Sequence, residues 1–221
     1  MTGQLKSAVH GQTLVLTLSN PTLRNALGPE MYTAGIEALN AAESNSEIRS
    51  VIITGEGAHF CAGGNLQRLL ANRKQAKEVQ AQSIDGLHTW MEAIHTFPKP
   101  VIAAVEGAAA GAGFSLVLMC DLVVAARDSI FVMAYSSIAL SPDGGGSWNL
   151  SQALPRQIAA ELMLLGERIS ADRLHALGSI NRLVESGTAL TQALDLAERI
   201  NARAPRLQQW CCHNDGVTES L

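Results

Sequence analysis

Two glycine-rich turns hold the residues of this chain best placed to do chemistry. The first, Gly55 to Gly64 (GEGAHFCAGG), feeds a helix expected to begin about Asn65; in the second, Gly107 to Gly113, no residue is larger than alanine. Backbone this bare can approach a ligand, or another backbone, that any larger side chain would push away. A helix starting inside such a turn aims unpaired N–H groups and the positive end of its dipole at whatever fills the turn. Two readings follow: an anion or oxyanion site, or close packing of strand against helix. A third glycine run, Gly144 to Gly146, stands behind Asp143 in LSPDGGG (Leu140 to Gly146). Three consecutive glycines cost backbone entropy, so this loop requires a specific local geometry. His59, His88, His95 and Tyr135 are further candidate bases. His88 and His95 lie on an expected helix and read better as packed or partly exposed there.

The apolar pattern supplies the elements that must position these turns. A hairpin is expected from Gln4 to Val9 and Thr13 to Leu18, then a polar loop, Asn20 to Leu27. Pro29 opens a helix striped by Met31, Ile36 and Leu39 and ending near Ala42. Ser50 to Thr54 is a buried strand before the first glycine turn. After it, Leu66, Leu69 and Leu70 mark one side of a short helix, and a polar stretch leads to a helix from about Ile84 to Phe97. Pro98 and Pro100 stop that helix before the strand Val101 to Val105. Beyond the second turn come a helix from Phe114 to Met119 and strands Leu122 to Ala126 and Ser129 to Met133. Helices follow at Trp148 to Leu154, Arg156 to Leu165 and Ala171 to Leu177. A strand, Ile180 to Val184, and a helix, Ala189 to Ala202, complete the pattern. Strand, glycine turn and helix recur at Val51 and Val101, which predicts an α/β structure with parallel strands.

A chain of 221 residues, 47% hydrophobic and 16% charged, is long enough for one well-buried domain. Its net charge of −4 and the lack of Lys or Arg clusters argue against nucleic acid or an anionic membrane surface as the main partner. The start, MTGQLKSAVHG, lacks the apolar core of a signal peptide, and Glu106 and Asp121 interrupt the longest apolar run, so a cytoplasmic protein without a membrane span is expected. Cys61, Cys120, Cys211 and Cys212 lack metal-site spacing, and no metal is expected.

Four segments together resemble the enoyl-CoA hydratase/isomerase family, the crotonase superfamily. They are FCAGGNL (Phe60 to Leu66), PVIAAVEGAAAGAGFSL (Pro100 to Leu116), MCDLVVAA (Met119 to Ala126) and LSPDGGG. The resemblance covers about residues 5 to 205 and implies a crotonase-like spiral of ββα units. That core would span residues 1–185, with a C-terminal helix and irregular, truncated tail over residues 186–221. It also implies an acyl-CoA thioester as substrate, coenzyme A as part of that substrate rather than a cofactor, and a homotrimer or dimer of trimers. The family's oxyanion hole, two backbone N–H groups, falls on Gly64 and Ala112. Asp143 matches the working aspartate of several of its isomerases; its alternative is a turn residue capping its neighbours. Arg24, Ala62, Leu66 and Tyr135 match substrate or CoA contacts, and Asn65 stands for the usual aspartate after the oxyanion glycine, where it can cap the helix.

The departures from the family are as informative. Its hydratases carry glutamates where this chain has Ser115 and Tyr135, neither a good general base near neutral pH. The expected activity is therefore double-bond or ring isomerisation of an acyl-CoA, closest to the isomerase branch of phenylacetate breakdown. An enoyl-CoA hydratase, or a binding subunit of crotonase fold that has lost efficient catalysis, is the alternative. After Ala204-Pro205 the family's usual helix gives way to a polar, glycine-containing end.

Overall fold

Alternating apolar residues fold the start of the chain into a hairpin, β1 (Gln4–His10) and β2 (Thr13–Ser19), around Gly11, whose φ of +58° suits glycine. A computed structural model describes residues 3–203. From β2 the sheet grows in parallel through β3 (Ser50–Gly55), β4 (Val101–Val105), β6 (Leu122–Ala126) and β9 (Arg182–Val184). The order of this six-stranded sheet is β1-β2-β3-β4-β6-β9. A smaller sheet of β5 (Ala108–Ala110), β7 (Ile130–Val132) and β8 (Arg168–Ser170), in the order β5-β7-β8, stands beside it.

β3 and β4 read as unbroken apolar runs because both of their faces are covered. On one face lies α8 (Ala189–Asn201), whose Ala189, Ala193 and Ala197 recur every four residues and pack on Val15, Ile52, Ile102 and Val124. Glu106, which interrupts the apolar run in the sequence, receives the amides of Gly187 and Ala189 at 3.0 and 2.8 Å and so holds the start of α8. On the other face α1 (Pro29–Ser44) crosses α3 (Lys77–His95) at Gly35, where any Cβ would collide with the Trp90 indole. Tyr32 and the fully buried Trp90 pack there with ring centroids 6.0 Å apart and planes tilted by 33°.

The expected elements form, with corrected boundaries where apolar periodicity is silent. α3 begins at Lys77 rather than Ile84, because its first turn is exposed and polar. α4 (Ala112–Leu118) begins at Ala112 rather than Phe114, and α5 (Gly146–Ala153) at Gly146 rather than Trp148, which is 68% exposed and marks no core stripe. α2 (Leu66–Asn72), α6 (Arg156–Leu165) and α7 (Ala171–Ala176) keep their expected positions. β5 and β8 escaped the sequence because three residues show no period. The expectations for the segment after Ala204, Cys211 and Cys212 included, lie outside the described residues.

One polar side chain fastens the loop Asn20 to Leu27 to the first glycine turn. Asn25 is fully buried, with φ +58°, a backbone region that asparagine tolerates better than most residues. Its amide donates to the carbonyls of Glu56 and His59 at 2.9 and 2.8 Å, and its oxygen accepts from Asn20 N–H at 2.9 Å. Alanine there leaves three buried backbone groups unpaired, so Asn25→Ala should cost about 2–3 kcal/mol of stability in urea unfolding. A loss below about 1 kcal/mol would mean that water replaces the amide.

Candidate active site

The two glycine turns meet through backbone. Cys61 N–H donates to Ala108 O at 3.0 Å, and Ala110 N–H donates to Cys61 O at 2.9 Å, docking the first turn onto β5. The Cys61 sulfur accepts from Gly63 N–H at 3.3 Å, and burial pushes its thiol up to about 12, so it serves as a buried packing group. A Cβ on Gly113 would stand 2.7 Å from Cys61 Cβ, and one on Gly63, whose φ is +90°, would stand 2.7 Å from Ala110 O and 3.3 Å from Ala112 N. Close packing, the plain explanation of these glycines, is therefore real. It is also what sets Gly63-Gly64 beside the peptide that carries the Ala112 amide.

Both candidate donors are left unused. Leu27 pairs with Gly64 as parallel strands do, donating to Gly63 O at 2.8 Å and accepting from Asn65 N–H at 3.2 Å. Gly64's own N–H thus faces away from Leu27. Ala112 is the first residue of α4, where an N–H has no intrahelical partner. Among the described residues neither amide meets an acceptor. The carbonyl of Gly111, in the same peptide unit as the Ala112 N–H, accepts from Phe114 N–H and Ser115 N–H at 2.9 and 3.0 Å, and Ser115 Oγ stands 3.4 Å from it. Donors on that oxygen polarise the peptide and strengthen its N–H as a donor.

Asp143 lies at the end of a string of side chains. Tyr135 hydroxyl donates to Asp143 Oδ1 at 2.6 Å, and Ser115 Oγ stands 3.3 Å from the same hydroxyl. Burial first, and Asp143 second, hold the Tyr135 phenol well above its ordinary range, so it stays neutral and keeps its proton to donate. Tyr32, near the same carboxylate, is pushed up to about 12 by burial, against an opposing pull from Arg68.

The glycine run explains how Asp143 comes so close. Gly144 and Gly145 have φ of +56° and +70°, and a Cβ on Gly144 would stand 3.2 Å from the Met91 terminal methyl. A Cβ on Gly146 would run into Ser115 Oγ. The loop is thus seated directly on Ser115, itself without exposed surface.

The other candidate residues take different stations. Arg24 is exposed, and its carbonyl accepts from Ala62 N–H at 2.9 Å, so these two lie together at the rim of the first turn. Leu66, 54% exposed, opens α2, which Asn65 caps by accepting from Arg68 N–H at 3.1 Å. His88 and His95 are exposed on α3, and His59 lies against Gly107, so among the described residues no histidine is hydrogen-bonded to Asp143. Sequence reasoning missed the Tyr135–Asp143 bond. It arises because a 3₁₀ turn at Ser136–Ile138 and Ala139, at φ +55°, fold the loop back until Leu140 N–H reaches Tyr135 O at 3.1 Å. No residue type in the loop announces that reversal.

Parallel strands followed by glycine turns and helices, with unpaired amides where the turns meet, make up the site, and residues 9–212 match the family model for enoyl-CoA hydratase/isomerase. The chain belongs to that family and has the crotonase fold. It is 36% identical over 195 residues to 1,2-epoxyphenylacetyl-CoA isomerase of Escherichia coli, covering 88% of this chain and 74% of the relative. It is 34% identical over 215 residues to enoyl-CoA hydratase EchA19 of Mycobacterium tuberculosis, covering 96% and 79%. The crystal structure of an enoyl-CoA hydratase from Polaromonas sp. JS666 matches with a TM-score of 0.93 and 67% identity, over 95% of this chain and 82% of that one. No helix among the described residues is long and apolar enough to cross a membrane.

The contact between Gly146 and Ser115 leaves no room for the glutamate that hydratases of the family carry at this position. Ser115→Glu should therefore lower stability by about 1–3 kcal/mol through overpacking, beyond the cost of Ser115→Ala. Equal melting temperatures for the two variants would show that the loop lifts freely.

Proposed function

We propose that this protein is an acyl-CoA isomerase in which Asp143 moves a proton between two carbons while Gly64 and Ala112 N–H groups hold the thioester oxygen. The observation that carries this reading is the Ser115–Tyr135–Asp143 string: hydroxyls stand where the family's hydratases carry two glutamates, and Asp143 is the one carboxylate bonded to them. Adding water needs one group to activate the water and another to protonate carbon. Moving a double bond needs one base. Asp143 takes a proton from one carbon, the electron pair passes into an enolate whose oxygen the two amides stabilise, and the proton returns to another carbon. No further reactant is consumed. Backbone donors of this kind are each worth about 2.7–4 kcal/mol of barrier. The Escherichia coli relative is named as an isomerase of an acyl-CoA.

Coenzyme A enters as part of the substrate. Arg24 at the rim is the proposed phosphate contact, Ala62 and Leu66 the contacts along the thioester path, and a homotrimer the proposed assembly. Hydration is the competing activity, favoured by the name of the Polaromonas structure.

Two measurements separate these outcomes. Hydration of crotonyl-CoA should be far slower than double-bond migration in a β,γ-enoyl-CoA, and robust hydratase turnover would reverse the assignment. Asp143→Asn should lose about 10²–10⁴-fold in isomerisation, the usual worth of a general base, while keeping its melting temperature. The asparagine oxygen still accepts from Tyr135, so the fold is spared. Near-wild-type turnover in this variant would remove Asp143 as the base.

A further inference from the structure

We propose that Tyr135 is a positioning residue of this reaction: it holds Oδ1 of Asp143, leaves Oδ2 to meet the substrate, and with Ser115 ties the base to the peptide that carries the Ala112 amide. The inference rests on the isomerase reading and adds to it a role for the two side chains that replace the glutamates.

The direction of each hydrogen bond follows from the proton inventory. An ionised carboxylate only accepts, so the 2.6 Å contact uses the single proton of Tyr135. The Tyr135 oxygen then accepts, and the Ser115 hydroxyl, 3.3 Å away, is its donor. Ser115 N–H donates to Gly111 O at 3.0 Å, on the far side of the peptide whose N–H belongs to Ala112, while Ser115 Oγ, its proton given to Tyr135, stands 3.4 Å from the same oxygen. Base and proposed oxyanion peptide are thus joined through Ser115 and Tyr135.

The string is also rigid. Tyr135 and Ser115 are 6% and 0% exposed, with Gly144 and Gly146 seated against Ser115 and Gly111 against the Tyr135 ring. A phenol that stays neutral does not stop donating as pH rises through the working range. A base fixed in this way keeps one oxygen aimed at the carbon it must deprotonate, and displacement of such a group by about 1 Å can cost 10²-fold in rate.

The test is Tyr135→Phe, which keeps the ring and its packing and removes only the hydroxyl. With a β,γ-enoyl-CoA that the wild type isomerises, kcat should fall by about tenfold to a hundredfold while KM and melting temperature stay unchanged. Because Tyr135 acts through Asp143, the double variant Tyr135→Phe/Asp143→Asn should be no slower than Asp143→Asn alone. An unchanged kcat in Tyr135→Phe overturns the proposal. So does a loss carried by KM or melting temperature, or a further loss in the double variant, since either would make Tyr135 a packing residue. If the wild type turns over no acyl-CoA, the isomerase reading fails and takes this inference with it; if it isomerises and Tyr135→Phe does too, only this inference fails.

Discussion

The contact on which the rest of the site depends is the approach of Gly63 to the Ala110–Ala112 backbone. A Cβ on Gly63 would stand 2.7 Å from Ala110 O, closer than any side chain tolerates, so only glycine lets the two turns touch. Once they touch, ladder pairing consumes the polar groups on one side of each strand end and leaves the amides of Gly64 and Ala112 over. An unpaired amide is costly in a buried place. That cost is met by the hydrogen bonds of Cys61, Leu27 and Asn25, which fix the same backbone. A donor held in this way needs no reorganisation when negative charge develops beside it.

Around that contact the side chains divide into those that lock the backbone and those that the proposed reaction would use. Asn25 and Cys61 belong to the first kind: both are fully buried and neither could meet a substrate. Asp143, only partly covered by its loop, belongs to the second. Tyr135 and Ser115 stand between the two. Their burial makes them part of the core, while their hydroxyls extend the polar network from beside the Gly111–Ala112 peptide to the Asp143 carboxylate. Such a network is strong because water is kept from it, and for the same reason it accepts few substitutions. Gly146 adds a steric condition, since its contact with Ser115 makes the small residue at 115 and the seated loop depend on each other.

Much of the fold was legible beforehand. The apolar runs of β3 and β4, the stripe of α1 and the alanine spacing of α8 all follow from periodicity, because burial of one face or two imposes it. The boundaries that shifted, at Lys77, Ala112 and Gly146, lie where small or exposed residues carry no such imprint. Family motifs located Gly64, Ala112 and Asp143 as candidates. They said nothing of what Asp143 touches.

The sequence by itself determined where backbone could come close, since bare glycine and alanine at Gly63, Gly111 and Gly113 permit only a few outcomes and the strands before them must be buried. It also showed that Ser115 and Tyr135 stand where the resemblance places the glutamates of hydratases. Only the tertiary structure decided the partners. The Tyr135–Asp143 bond depends on Ala139 adopting φ +55°, a conformation that alanine does not favour and that the surrounding contacts impose. Asn25 reaches carbonyls more than thirty positions away, at Glu56 and His59. Contacts of this kind are set by the packing of whole elements against one another, and no local pattern of residue types records them.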